Sequence, residues 1–493
     1  MKRVASGLFP IVFLDRKSGK PLHRQLYESF CMAVLRGIFK AGDKVPSSRG
    51  LAKELGISRI PILSAYSQLL AEGYFESRRG SGTFVSSTVP QQRLPAASGR
   101  SATPETCPDS RRDSRRTAQV PSFKPQPWVN RSGAFVVGTV SAEDFPSQAW
   151  ANLTNRHARR MSVHSLHYGD ALGSEAFRTT IADYLRRTRA VNCDASQIMI
   201  VSGSQQGLDL CARVLLNPGD SVWLEEPGYR LARHVFILAR CRLVPVPVDA
   251  EGMQVSTGIK KYRKAHAAFV TPSHQFPLGC TMSASRRLQL LDWAHRSGAW
   301  IIEDDYDNEY RYESMPIGSL QGLDRGSRVI YIGTFSKTLF PSVRLGYVVI
   351  PRDLVARFVS ARLAMDVFPP VLYQEVLNDF ISEGHFARHI RRMRLQYSQR
   401  RTALVECMQK EFGDEVKLLG AEAGMHVVAT VGNGHKDRII SERAALKELW
   451  LWPLSSCYLQ EPAVQGFILG FGSVRPGQMP IAIGRLRSVF EEC

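Results

Sequence analysis

Residues 331–347 read "YIGTFSKTLFPSVRLGY". The strand-like Tyr331-Ile332 gives way to small and hydroxyl residues, then to Lys337, with Arg344 following seven positions later. A lysine so placed is able to form a Schiff base with an aldehyde cofactor, while Thr334, Ser336 and Arg344 offer hydroxyls and a permanent charge to a phosphate. Upstream, "QIMIVSG", "SVWLEEPGY", "AAFVTPS" and "AWIIEDDY" repeat one pattern: an apolar run ends in a polar or glycine-bearing loop. Helical stretches alternate with these runs. The alternation predicts an α/β domain with a largely parallel sheet and its ligand loops at strand C-termini. Beyond Pro351, helical patterns dominate to about residue 412, and a mixed segment completes the chain.

Pyridoxal 5'-phosphate makes four demands: a lysine, an acid opposite the pyridine nitrogen, an aromatic platform and donors for a dianionic phosphate. Each has a candidate. Lys337 would carry the link, and burial would lower its pKa and make it nucleophilic. Asp304, just past "AWII", is placed for the ring nitrogen, and Tyr306 for the ring oxygen. Ser204 and Gln205 in "SGSQQG" fall at a strand-to-helix junction, where free N–H groups favour phosphate. Tyr229 in "EEPGY" is placed to stack on the ring. Singly these signals are weak; together, in this order at strand ends, they form a constellation.

The other end of the chain carries a different pattern. Of 493 residues, 44% are apolar and 22% charged, which is ordinary for a globular protein of two or more domains. The net charge of +19 is not ordinary. Through residue 86 there are 14 Lys/Arg against 6 Asp/Glu, an excess of +8 that favours a polyanionic partner, nucleic acid or an anionic membrane. Nine scattered cysteines without a CxxC pair suit a reducing compartment. No signal peptide and no apolar span is expected, so the sequence predicts a cytoplasmic protein. Residues 87–132, rich in Pro, Ser and Arg, are expected to be a flexible linker, with "RRDSRR" a solvated charge run.

Residues 36–85 have the order helix, helix, turn, helix, two-stranded wing. Ser47 and Ser48 are placed to cap the second helix, Gly56 permits a tight turn, and Ser58 is expected to cap the third. That puts Arg59 at the start of a recognition helix. Arg78 and Arg79 flank a Gly80-Ser81-Gly82 tip suited to a groove or backbone contact. Residues 20–86 resemble the GntR-type winged helix-turn-helix. The resemblance implies DNA contacts from Ser48, Arg49, Ser58, Arg59 and Gly80, with Pro61-Ile62 standing where that family often has Thr-Val.

Residues 133–493 resemble fold-type I aminotransferases, in which Ser204, Gln205, Tyr229, Asp304, Tyr306, Lys337 and Arg344 follow the family order. Tyr168 in "YGDALGSEAF" matches a tyrosine that, in such enzymes, reaches the phosphate across the subunit interface, which implies a homodimer. Two positions depart from the family. Phe276 in "SHQFPLG" replaces an asparagine that bonds the ring oxygen, and Ile468 falls where an arginine commonly holds the substrate carboxylate.

Both halves on one chain resemble the MocR subfamily of GntR regulators. The expected fold class is therefore α/β multidomain. A winged helix-turn-helix over 1–86 precedes a fold-type I, mainly parallel domain over 133–493 that binds pyridoxal phosphate and dimerises. The expected function is transcription regulation on operator DNA, with the cofactor held as an internal aldimine to sense pyridoxal phosphate or an amine. An active aminotransferase with a DNA-binding appendage is the alternative, and the two departures argue against it. His385 and His389 share a helical face, but Arg388, Arg391 and Arg392 crowd them, so a surface or packing role rather than metal binding is expected.

Overall fold

The computed structural model describes residues 14–88, 120, 133–161, 167–312, 317–432, 434 and 436–492. Except for residues 87, 88 and 120, the expected linker lies outside the described residues. The chain divides into two units, Met1–Arg112 and Asp113–Cys493.

In the N-terminal unit, helices α1 (Leu22–Leu35), α2 (Ser48–Leu55) and α3 (Arg59–Ala71) precede a hairpin of β1 (Phe75–Arg78) and β2 (Gly82–Val85). The helices bury one stripe each. Leu26 and Phe30 of α1, Leu51 of α2, and Ile62, Tyr66 and Leu69 of α3 meet Phe75 of the wing. The Phe30 ring lies edge-on to Tyr66 and to Phe75, at 5.6 and 5.7 Å. Ser47 caps α2 by accepting from the Gly50 N–H. Gly56 then takes the left-handed conformation (φ 60°) that ends α2 and lets α3 begin three residues later.

Ser58 holds the backbone position that precedes α3, yet its side chain makes no capping bond, contrary to expectation. The third residue of α3 is Pro61, which has no N–H, so one of the two usual donors to a capping oxygen does not exist. The wing pairs antiparallel from Phe75↔Val85 to Arg78↔Gly82.

The second unit is built on an eight-stranded sheet in the order β3-β10-β9-β8-β7-β4-β5-β6. Its strands are β3 (Ile198–Val201), β4 (Ser221–Glu226), β5 (Arg242–Asp249), β6 (Gly252–Met253), β7 (Ala267–Val270), β8 (Trp300–Asp305), β9 (Val329–Thr334) and β10 (Gly346–Val349). Strands β5, β4, β7, β8 and β9 are mutually parallel. β10 is antiparallel to both β9 and β3, so β3 runs with the parallel set. The reversal has a simple cause: the loop from Thr334 to Gly346 is too short for the helical crossover that a parallel return requires. Six strands, β3 included, thus end on one edge of the sheet, which is where a site belongs in such folds.

β3 and β7 are buried along their whole length, and apolar clusters fill both faces of the sheet. Helix α4 (Ser204–Leu215) follows β3 directly, and the 28-residue α5 (His385–Phe412) lies in the helical region beyond Pro351. A second, antiparallel sheet closes the unit: β11 (Val416–Leu419), β12 (His426–Val431), β14 (Gln465–Gly470) and β13 (Trp452–Pro453), in that order. Among the described residues no helix is long and apolar enough to cross a membrane.

Candidate functional site

The C-terminal ends of the parallel strands open into a cavity of about 420 Å³. β3 delivers Ser204 and Gln205, β4 delivers Tyr229, β7 Thr271, β8 Asp304, Tyr306 and Asp307, and β9 Thr334, Ser336 and Lys337. Arg344 reaches the same cavity from just before β10, with a left-handed φ of 49°. The small sheet supplies the other wall through His426, at the start of β12, and Trp452, at the start of β13. Nine of the ten residues expected to bind a cofactor therefore line one cavity. Tyr168 does not; it is 85% exposed, with its ring 5.8 Å from Phe368.

The Lys337 amine donates to the Gly138 carbonyl at 3.3 Å, and a Cβ on Gly138 would lie 2.2 Å from the amine nitrogen. Burial lowers the pKa of Lys337, and Asp307 and Asp304 oppose that shift. Asp304 is 6% exposed, and burial, followed by the neighbouring Asp305 and Asp307, pushes its carboxyl up to about 7. Asp304 Oδ1, Ser336 Oγ and Gln205 Oε1 are buried and have no hydrogen-bond partner among the described residues. Ser204 begins α4, whose first N–H groups are free of helical partners. Arg344 donates to the Ser202 carbonyl at 2.6 Å, and its guanidinium would sit 3.2 Å from a Cβ on Gly203. The Thr334 hydroxyl is partly committed, since it accepts from the Ser336 N–H.

Phe276 lines the cavity with its ring 5.7 Å from that of Tyr229, edge to face. Ile468 lies in β14, fully buried beside Phe276, Val428 and Leu454.

Sequence reasoning missed a polar group beneath this wall. His274 Nδ1 lies 3.0 Å from Asp307 Oδ1 and 3.0 Å from the Tyr306 hydroxyl, while its Nε2 is buried without a partner among the described residues. His426 stands beside it, hydrogen-bonded through Nε2 to the Pro277 carbonyl at 3.0 Å. Burial and the adjacent His274 lower the His426 pKa to about 4, so this ring is neutral at neutral pH. Among the described residues, His274, Asp307 and His426 are the group with metal-compatible spacing. They come from three separate stretches, and only the folded chain shows their proximity. His389 is a packing residue: it bonds the Thr338 carbonyl at 3.0 Å, and burial lowers its pKa to about 4. His385 lies on the surface side, 3.0 Å from Arg388.

In the N-terminal unit, Arg49, Ser58, Arg59, Arg79 and Gly80 are exposed and Ser48 is half-buried. Arg59 Nε donates to Ser48 Oγ at 3.0 Å, which ties the start of α3 to the start of α2. Arg78 is held along the wing, donating to Glu76 and lying 4.6 Å over the Phe84 ring.

A winged helix-turn-helix joined to this cavity defines a class: a DNA-binding regulator carrying an aminotransferase-like domain. Two family models match accordingly, the gntR family of bacterial regulatory proteins over residues 22–85 and aminotransferase class I and II over 138–460. The latter is a pyridoxal-phosphate-dependent family. The chain is 40% identical to the probable rhizopine catabolism regulatory protein MocR of Rhizobium meliloti, over 97% of this chain and 96% of that protein. It is 30% identical to the pyridoxine biosynthesis transcriptional regulator PdxR of Corynebacterium glutamicum, over 91% of each. The kynurenine aminotransferase of Pyrococcus horikoshii superposes with a TM-score of 0.71 at 29% identity, covering 77% of this chain and 97% of the enzyme. The chain belongs to the MocR-type transcriptional regulators of the GntR family.

Proposed function

We propose that this regulator holds pyridoxal 5'-phosphate in the cavity through Lys337 and senses either the cofactor or an amine effector. The observation that carries the reading is the set of buried, unpartnered polar atoms that share the cavity with Lys337: Asp304 Oδ1, Ser336 Oγ and Gln205 Oε1. Such atoms are unfavourable until a ligand satisfies them, and the chemistry of Asp304 and Ser336 suits this group. Asp304 suits a pyridine nitrogen. Ser336, Ser204 at the start of α4, Thr334 and Arg344 suit a phosphate. Tyr229 and Tyr306 flank the space as aromatic walls. When bound, pyridoxal phosphate supplies an aldehyde that condenses reversibly with primary amines. Lys337 supplies one such amine, and burial favours its uncharged, nucleophilic form. Asp304, with its carboxyl raised to about 7, becomes anionic when a cationic ring nitrogen faces it.

Sensing has more support than turnover. Phe276 and Ile468 carry no polar group where the enzymes place an amide and a guanidinium. We assign residues 1–86 to DNA binding, with Ser48, Arg49, Ser58, Arg59, Arg78, Arg79 and Gly80 at the operator. We assign 87–132 to a linker and 133–493 to effector binding and homodimer formation. In a dimer, the exposed Tyr168 would serve the phosphate group of the second copy. Ligand must bind two arrangements of the dimer with different affinity if it is to change operator occupancy.

Borohydride reduction of pyridoxal-phosphate-saturated full-length protein, followed by peptide mass spectrometry, tests this. An adduct is expected on Lys337 and is lost in Lys337→Ala, with an operator footprint that changes on adding cofactor or amine. No adduct overturns the reading. An adduct with an unchanged footprint reduces the cavity to a bystander.

A further inference from the structure

Helix α3 is apolar on two sides. Ile62, Ala65, Tyr66 and Leu69 face inward and are at most 6% exposed. Ile60, Leu63, Ser64 and Ser67 form a second stripe at helical spacing, all exposed. Ile60 is 76% exposed and Leu63 45%. Single exposed aliphatics are common on protein surfaces. Two of them one turn apart, at the start of the third helix of a winged helix-turn-helix, form a patterned surface. Its frame is cationic: Arg59 precedes Ile60, and the exposed Arg49 lies on α2, whose first residue Ser48 is bonded to Arg59.

Two exposed aliphatics beside hydroxyls, framed by arginines, match one surface in particular, the DNA major groove. Phosphates line its rims, and the C5-methyl of thymine is the apolar group that base edges present there. Helices of this class insert their N-terminal residues into that groove, and Ile60 is the second residue of α3.

We propose that Ile60, with Leu63 one turn on, reads the 5-methyl group of thymine, so that the operator carries a thymine opposite the start of α3. The inference rests on α3 being the helix that enters the groove. It names a specificity-determining contact that carries no charge and forms no hydrogen bond.

The test uses full-length protein and an operator selected on it from a random duplex pool. Each thymine is replaced in turn by deoxyuridine, which removes the methyl and leaves every hydrogen-bonding group in place. At one or more positions affinity should fall about four-fold, the worth of one buried methyl. Ile60→Ala should weaken binding to the parent operator by a similar factor and bind thymine and uracil equally at that position. Its salt dependence should stay unchanged, because no phosphate contact is lost. Ile60→Val, which keeps a branched methyl, should retain part of the discrimination. Because Ile60 lies outside the core, matched thermal melts should show both variants folded.

Uracil tolerated everywhere, or discrimination persisting in Ile60→Ala, overturns the proposal. Arg59→Ala separates the causes. If it weakens binding while no thymine responds, only the methyl contact fails. If it too has no effect, α3 is not the helix in the groove.

Discussion

The N-terminal unit keeps Arg49, Arg59 and Arg79 exposed to water, whereas the cavity of the second unit keeps Asp304 at 6% exposure, among unpartnered polar atoms and beside a lysine. With the proposed cofactor in the cavity, the two regions would use charge for different tasks. A duplex is a long polyanion met from a distance, and solvated cations provide attraction that salt can screen. A ring cofactor is met at contact range, where removing water shifts protonation and leaves donors and acceptors waiting. Binding in the first region should respond to ionic strength, and that in the second to protonation.

Replacing Asp304 tests this contrast with the largest expected effect. An ordinary aspartate ionises near pH ~3.9 when unfolded, and burial raises Asp304 to about 7. Between those values the native state binds the extra proton, so its stability falls as pH rises through that window, and the full penalty is present above it. Cofactor-free Asp304→Asn should therefore melt several degrees higher than the parent at pH 8, on the order of 2–4 kcal/mol. The advantage should shrink at pH 5. The same variant should bind cofactor more weakly. Calorimetry at the two pH values checks this, and a pH-independent difference would break the contrast.

Arg344→Ala comes next. Loss of one charged hydrogen-bonding partner of a phosphate should loosen pyridoxal phosphate by about 10- to 100-fold. Operator affinity of the cofactor-free protein should not change. Fluorescence titration reads the first quantity and gel shift the second. The smallest effect sharpens the other side: Arg59→Ala, if it removes one phosphate contact per subunit, should flatten the log–log salt slope by about 0.9 per contact. An unchanged slope would place Arg59 off the backbone.

Much of the cavity was legible in the sequence because each part sits where an apolar run breaks. Ser204, Tyr229, Asp304 and Lys337 all follow such breaks, and the sheet topology then gathers strand ends on one edge. What escaped depended on chain returns that pattern alone does not reveal. His274, Asp307 and His426 meet only once the small sheet closes over the large one. β10 turned antiparallel for want of a crossover, a detail set by loop length rather than by strand composition. In α3, apolar residues on both faces defeat the usual reading of periodicity, so the outward stripe of Ile60 and Leu63 became distinct only with burial in hand. Ser58 shows a local version of the same limit, since the expected cap faltered on a proline three positions later.

Gly138 carries a consequence of its own. The carbonyl that receives the Lys337 amine belongs to a residue whose φ is +74°, with room for no more than hydrogen beside that nitrogen. The Lys337 side chain thus leans on main chain, and any enlargement there would push its flexible tip aside while leaving every other ionisable group in place. One carbon atom added at a position with no chemistry of its own would separate possession of the pocket from use of it.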